Sequence, residues 1–388
     1  MIKSISLPAQ LLIVILAAVS VSSLVSLEFV RAAYTFSVIF KDVLAFFLPF
    51  VVFAFILGAI VSFEKNASKV LSILLGLIFV SNISAACVAY TIGTFFLSRG
   101  NWNMNIQDLV LNTQVEPFFR FTIPNLVRPE WALIAAIILG IICSFIQNKK
   151  IENKIIKFKD IVENSLTALL IPLLPLYIFG FLLKISYEGT FVTLFQNYGK
   201  AFLLLIGSQT IYLIWMYSIS NGFNLKKIIS TIKNMLPAYI TAFSTMSSAA
   251  TIPVSIDGAY QNTHNKKLSN LAMPIMANVH LLGASFSTPL LSLVTLKLFT
   301  GAIPDFSLYI KFIFYFGTSM FAVSGIPGGG ILVVTPILIS MLGFNSDMID
   351  VITTLYMLQD PFGTAANIMG DGALVLVVNK ILKKLRIA

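Results

Sequence analysis

Apolar positions in this chain run in long blocks, with no sustained polar–apolar alternation. A membrane-crossing helix needs about 20 apolar residues. Blocks of that order lie at about 7–30, 37–62, 70–97, 130–147, 161–186, 198–221, 270–299 and 347–382. Two further stretches, about 228–258 and 307–343, are apolar but interrupted near their middles by Gly, Pro and Ser. Only helices and closed barrels satisfy their backbone groups inside lipid, and the period-2 signature of a barrel is missing. The pattern therefore predicts an all-α multi-span membrane protein with eight transmembrane helices and two interrupted segments. The first block exceeds the ~7–15 residue core of a secretory signal, which predicts a retained helix. No linker or low-complexity tract divides the chain, so 1–388 reads as a single membrane domain.

Composition strengthens this reading. Of 388 residues, 57% are hydrophobic and 11% charged, against about 25% charged in an average soluble domain. There are 33 Phe and only 16 acidic residues. A soluble fold could not hide that apolar surface. Soluble enzymes, nucleic-acid binders and disordered regulators are excluded. The net charge of +10 orients the chain: Lys3, Lys65, Lys69, the run Lys149, Lys150, Lys154, Lys157 and Lys159 in one loop, Lys226, Lys227, Lys233, Lys266, Lys267, Lys380, Lys383, Lys384 and Arg386 fall on one side, 17 of 26 basic residues. The positive-inside rule makes that side cytoplasmic, with both termini there, in an inner or plasma membrane. The opposite loops carry Asp108, Glu116, Glu130, Glu188, Asp305, Asp347 and Asp350. This parity holds only if 228–258 and 307–343 each enter and leave on one face, as re-entrant hairpins, the first opening inward and the second outward.

The rare residues narrow the chemistry. Two His and two Cys offer no metal spacing and no disulfide framework. No nucleophile elbow, phosphate loop or dinucleotide fingerprint is present, which argues against an enzyme. The hairpin middles read Ser244-Thr-Met-Ser-Ser-Ala-Ala-Thr-Ile-Pro253 and Ser324-Gly-Ile-Pro-Gly-Gly-Gly330. Small residues there serve either close helix packing or a binding site of broken helices at membrane depth, where N-termini offer N–H groups to an anion. In the last block Asp360, Thr364, Asn367 and Asp371 fall at i, i+4, i+7 and i+11, one stripe of a helix. Two carboxylates without Lys or Arg among them point to cations, one an amine and the other a metal ion or proton. Asp360-Pro361 also has the form of an N-cap followed by Pro at the first helical position. His280, in Asn278-Val-His-Leu-Leu-Gly-Ala-Ser285, is either a satisfied core histidine or a ligand, and the Gly beside these polar residues predicts local unwinding. Asn82 and Ser84 sit at mid-depth of the third span, as helix-bridging groups or as part of an ion site.

These motifs together resemble the dicarboxylate/amino acid:cation symporters, the glutamate-transporter family. "AFSTMSSAATIP" at 242–253 is similar to its first hairpin tip, "SGIPGGG" to its second, and "DPFGTAANIMGD" at 360–371 to its final-helix motif. "NVHLLGAS" stands where the family has Asn-Met-Asp-Gly-Thr. The motif match spans about 225–380, with span order alone upstream. The resemblance implies a homotrimer in lipid, with inverted repeats and elevator-type movement. A scaffold at about 7–62 and 130–186 would hold a transport unit at about 70–97 and 198–382. It also implies site residues. Asp360 would hold an amino group. Asn367 would hold the α-carboxylate, with Ser247, Ser248 and the second tip at Gly325, Ile326 and Gly328. Thr364 and position 363 would line the pocket. A sodium or proton would sit at Asp371 and Asn367 with Asn278 and His280, Asn82 and Ser84 being further candidates.

The departures carry as much information. The family's guanidinium is Gly363 here, its seventh-span Thr is Ala284, and the Arg common at the first tip is Met246. A second substrate carboxylate would be buried without a partner, so the substrate is expected to be a small neutral amino acid. The family's seventh-span Asp is Leu282 and its Asn is His280, so one sodium site is lost or rebuilt, and His280 is a candidate proton carrier. The rival expectations are a sodium- or proton-coupled dicarboxylate or glutamate symporter, and a degenerate homologue acting as a channel or sensor. No cofactor beyond a coupling cation and no nucleic acid is expected.

Overall fold

The computed structural model describes residues 7–62, 68–100, 115–120, 129–146, 148–165, 168, 171–189, 191–323 and 328–385. Helix dominates, and no strand occurs among the described residues. In chain order the helices are α1 (Leu7–Val21), α2 (Leu27–Ser62), α3 (Ser68–Arg99), α4 (Pro129–Ile146), α5 (Lys149–Ser165), α6 (Leu174–Tyr187), α7 (Phe191–Ser220), α8 (Leu225–Thr245), α9 (Ser248–Thr263), α10 (Lys266–Val279), α11 (Leu282–Thr300), α12 (Phe306–Ser319), α13 (Gly329–Leu342) and α14 (Ser346–Lys384). Among the described residues, Ser72–Arg99, Tyr198–Ser220, Lys266–Thr300 and Ser346–Lys384 are long and apolar enough to cross a membrane.

Three sequence expectations change here. The first apolar block is two elements, because α1 stops at Val21 and α2 begins at Leu27. The lysine-rich segment is no loop: Lys149, Lys150, Lys154, Lys157 and Lys159 lie on α5, which alternates charges with Ile151, Ile155, Phe158 and Val162 at helical spacing. Within the fifth block the apolar helix α6 starts at Leu174, and positions 166, 167, 169 and 170 lie outside the described residues. Asp350 also leaves the external loop. It is buried one turn into α14, where Tyr177 of α6 donates to its Oδ1 at 3.4 Å.

Burial sorts the helices. The outer ones present large apolar side chains outward, Leu203 at 76% and Ile211 at 69% exposure among them, as a lipid-facing surface requires. α11 and α14 are buried on every side. α14 packs against α7, α8, α9, α10 and α11, and α3 packs against α11 and α12. A second group forms around α2, which packs against α4, α5 and α6, while α1 packs against α6.

Each of the two interrupted segments contributes a pair of helices that pack on each other. In the first, α8 ends at Met246 in the left-handed conformation, and Ser247 caps α9 by accepting from Ala250 N at 3.2 Å. Gly258 lets the two arms close, since a Cβ there would lie 2.7 Å from the Asn234 carbonyl oxygen. In the second, α12 and α13 pair. The tip positions 324–327, including Gly325 and Ile326, lie outside the described residues. The chain re-enters at Gly328 with φ +71°, a conformation glycine adopts without penalty.

Candidate functional site

The expected break in the seventh apolar block is present. Helix α10 ends at Val279, and His280 and Leu281 have non-helical torsions before α11 begins at Leu282. A helix start leaves N–H groups without intrahelical partners. Here another helix supplies one: Asn367 on α14 accepts from Gly283 N at 2.7 Å through its Oδ1. This needs the two backbones to touch. A Cβ on Gly283 would collide with the Gly363 carbonyl oxygen and lie 2.7 Å from Gly363 Cα.

The capping reading of Asp360 fails. α14 runs through Asp360 and Pro361 without interruption. The carboxylate instead reaches the second hairpin, where Gly328 N donates to Oδ2 at 2.9 Å, and it accepts from the Thr364 hydroxyl at 3.3 Å. It thus lies at the N-terminus of α13, where the helix dipole favours negative charge. Gly328 rests over Met357, whose Sδ would lie 2.8 Å from an added Cβ. The first hairpin reaches the same stretch, with Phe243 of α8 edge-on to Phe362 at 5.0 Å between centroids. Ser248, at the start of α9, is buried, and α9 packs on α14. The N-termini of α11 and α13 therefore bond to α14, whose Asp360, Thr364 and Asn367 are all buried, and the first hairpin reaches the same helix through Phe243.

One helical turn further, Asp371 and His280 are both fully buried. His280 Nδ1 lies 2.7 Å from Asp371 Oδ1, and Nε2 lies 2.9 Å from Ser81 Oγ. Both ring nitrogens are engaged, so the ring spans α3 and α14 across the α10–α11 break. Asn82 donates to the Val279 carbonyl at 2.9 Å, at the C-terminal end of α10. Asp371 Oδ2 and Asn82 Oδ1 are among the buried oxygens of the described residues that have no hydrogen-bond partner. Leu282 is apolar and packs near Gly370.

Of the sequence candidates, the structure joins Asp360 to Thr364 and Gly328, Asn367 to Gly283, and His280 to Asp371. It holds Asn367 and Asp371 on one face of α14 without a bond between them. Asn278 donates to the Pro274 carbonyl of its own helix. Ser84 bonds Val80 and Ser81 carbonyls and meets the Tyr212 hydroxyl at 3.2 Å. Sequence reasoning missed Ser81, Gln359 and Tyr217, whose hydroxyl is buried, has no hydrogen-bond partner, and would lie 2.6 Å from a Cβ on Gly372. Tyr217 and Gln359 each carry the one available signal, a polar tip within an otherwise apolar run.

Residues 7–381 match the sodium:dicarboxylate symporter family. The chain belongs to that family. Among its relatives in the family are three serine/threonine transporters called SstT. The one from Acinetobacter baylyi is 25% identical over 369 residues, covering 90% of each chain. That from Enterococcus faecalis is 23% identical, covering 86% of this chain and 82% of its own. That from Streptococcus agalactiae is 23% identical over 86% of both. As a member of a symporter family built from apolar helices, this chain is an integral membrane protein, and the family is one of transporters rather than enzymes.

Proposed function

We propose that this chain is a cation-coupled secondary symporter that takes up a small neutral amino acid. The observation that carries the reading is the pair of buried carboxylates on one face of α14, one at the start of α13 and the other at the α10–α11 break. A buried charge without a partner is strongly unfavourable, so each carboxylate is a natural seat for a cation. The substrate's ammonium takes Asp360, displacing the Gly328 N–H. Its carboxylate lies among the N-termini of α9 and α11, with the Asn367 amide N–H2 as a further donor, since the Asn367 oxygen is already engaged. No Lys or Arg stands on the stripe, which disfavours a second carboxylate and hence glutamate and dicarboxylates. The names of the serine/threonine relatives agree with a neutral substrate.

The coupling ion is sodium in this reading. Asp371 Oδ2 and Asn82 Oδ1 are oxygens with lone pairs to offer and no donor, and the C-terminal end of a broken helix is a recurrent seat for sodium. The direct bond between His280 and Asp371 favours a second reading, in which the pair carries a proton instead. Either ion brings about 2.3 kcal/mol per charge per 100 mV of membrane potential. The α2-centred group of helices serves as the scaffold of a trimer. The group around α14, with its re-entrant hairpins, moves as the transport unit, both chain ends being cytoplasmic.

Uptake of radiolabelled serine, threonine, alanine, glutamate and succinate into proteoliposomes, with sodium and proton gradients imposed separately, tests this. Accumulation of the neutral amino acids under a sodium gradient is expected. Selective glutamate uptake refutes the substrate assignment, and accumulation under a proton gradient alone transfers the coupling to His280–Asp371. Asp360→Asn is expected to raise the KM for serine between about tenfold and a hundredfold, the range of a lost hydrogen bond to a charged group. An unchanged KM removes Asp360 from the ammonium site.

A further inference from the structure

Gln359 precedes Asp360 on α14, 100° round the helix from it, and is 1% exposed. A carboxamide carries two N–H donors and an oxygen with two acceptor positions. Its Nε2 donates to Ser287 Oγ on α11 at 3.0 Å. Ser287 Oγ lies 3.5 Å from the Ala284 carbonyl, to which its hydroxyl can donate, and its oxygen accepts from Gln359. The amide orientation follows: nitrogen toward Ser287, oxygen away from it. That oxygen, Oε1, is buried and has no hydrogen-bond partner. It faces Gly363, 2.8 Å from where a Cβ on that residue would lie. Gly363 sits between Asp360 and Asn367 along α14, and any larger residue there would cover Oε1. The carboxamide is thus anchored at one end, and its acceptor is left without a partner next to Gly363, which lies between Asp360 and Asn367 along the helix.

We infer that Gln359 recognises a hydroxyl on the substrate's side chain through Oε1, and is the residue that sets the preference for hydroxylated over purely apolar amino acids. The inference rests on the amino-acid symport reading above. With the ammonium at Asp360 and the carboxylate near Asn367, the side chain of a small amino acid is left to lie against Gly363. A hydroxyl donates to Oε1 and completes its hydrogen bonding. A methyl leaves the oxygen buried and unmet, and a carboxylate presents a second acceptor to it. One carboxamide therefore selects for a hydroxyl and against an acid.

The test compares L-serine with L-2-aminobutyrate, which replaces the hydroxyl by a methyl at nearly constant shape, and with L-alanine. The full-length protein in proteoliposomes is expected to take up serine with a kcat/KM about tenfold above that of 2-aminobutyrate, the size of one neutral hydrogen bond. Gln359→Met keeps the volume and removes the acceptor. It is expected to bring the serine to 2-aminobutyrate ratio close to one while alanine uptake stays within about twofold. A parallel fall for all three substrates would make Gln359 a packing residue and overturn the inference. Equal wild-type rates for serine and 2-aminobutyrate overturn it without any variant, so the question stays decidable if Gln359→Met fails to fold. Failure of the wild type to carry any of the three overturns the amino-acid symport reading and this inference with it, whereas transport without discrimination overturns this inference alone.

Discussion

Asp371→Asn is expected to abolish cation-driven accumulation while leaving the protein folded. Asparagine keeps the shape, and its Oδ1 can still accept from His280 Nδ1, the 2.7 Å contact of the native carboxylate. What changes is the other end of the group. Asp371 Oδ2 is a buried oxygen without a hydrogen-bond partner, and in the variant an N–H2 stands there, able to donate but unable to ligate a cation. The negative charge is lost with it. Interactions with a charged group contribute about 1.5–3 kcal/mol, so the initial rate under an imposed sodium gradient is expected to fall by up to about a hundredfold. Asparagine keeps the hydrogen bond to His280, so the ring does not lose its partner, and the melting temperature of the purified variant is expected to hold. Undiminished accumulation sinks the assignment of Asp371 as the coupling site. A collapse in melting temperature makes it a structural residue.

The second large effect is expected from a single methyl. Gly283→Ala places a Cβ against the carbonyl group and Cα of Gly363. Both partners are main chain, so neither can turn aside as a side chain would, and α11 must back away from α14. Overpacking of this kind costs about 1–3 kcal/mol, a fall of roughly 1–4 °C in melting temperature for a chain of 388 residues. The shift also draws Gly283 N off Asn367 Oδ1, now 2.7 Å away, so serine uptake should drop at least about tenfold. Gly76→Ala on α3 is the control: nothing lies within 4 Å of its added Cβ, and the gain in helix propensity is about 0.5–1 kcal/mol. If both variants melt and transport alike, the α11–α14 contact has no special role.

Much of this was legible before any coordinates. The stripe Asp360, Thr364, Asn367 and Asp371 is a matter of helical spacing, and the break at His280–Leu281 was announced by polar residues beside Gly283. The Gly, Pro and Ser middles of 228–258 and 307–343 mark interruptions; the first falls at the junction of α8 and α9, and the second tip, 324–327, lies outside the described residues. Local rules misled where burial overrode them. Asp360-Pro361 has the form of a helix start, yet α14 continues, because that carboxylate finds its donors on another segment, at Gly328 N, as well as at Thr364. The lysines of 149–159 read as a loop by charge, while the apolar residues between them recur at helical spacing and make α5.

The chain alone determined that it is a bundle of apolar helices with two acids on one face of the last, because the direction of a side chain on a helix depends only on its own neighbours. It also showed that no Lys or Arg stands among those positions, which is the ground for proposing a neutral substrate. Packing decided what each acid meets. His280 with Asp371 lies 91 residues apart in sequence, Gly283 with Asn367 84, and Gln359 with Ser287 72. No local spacing encodes such partners. They are set by which backbones can approach closely enough to touch, and that is a property of the assembled helices.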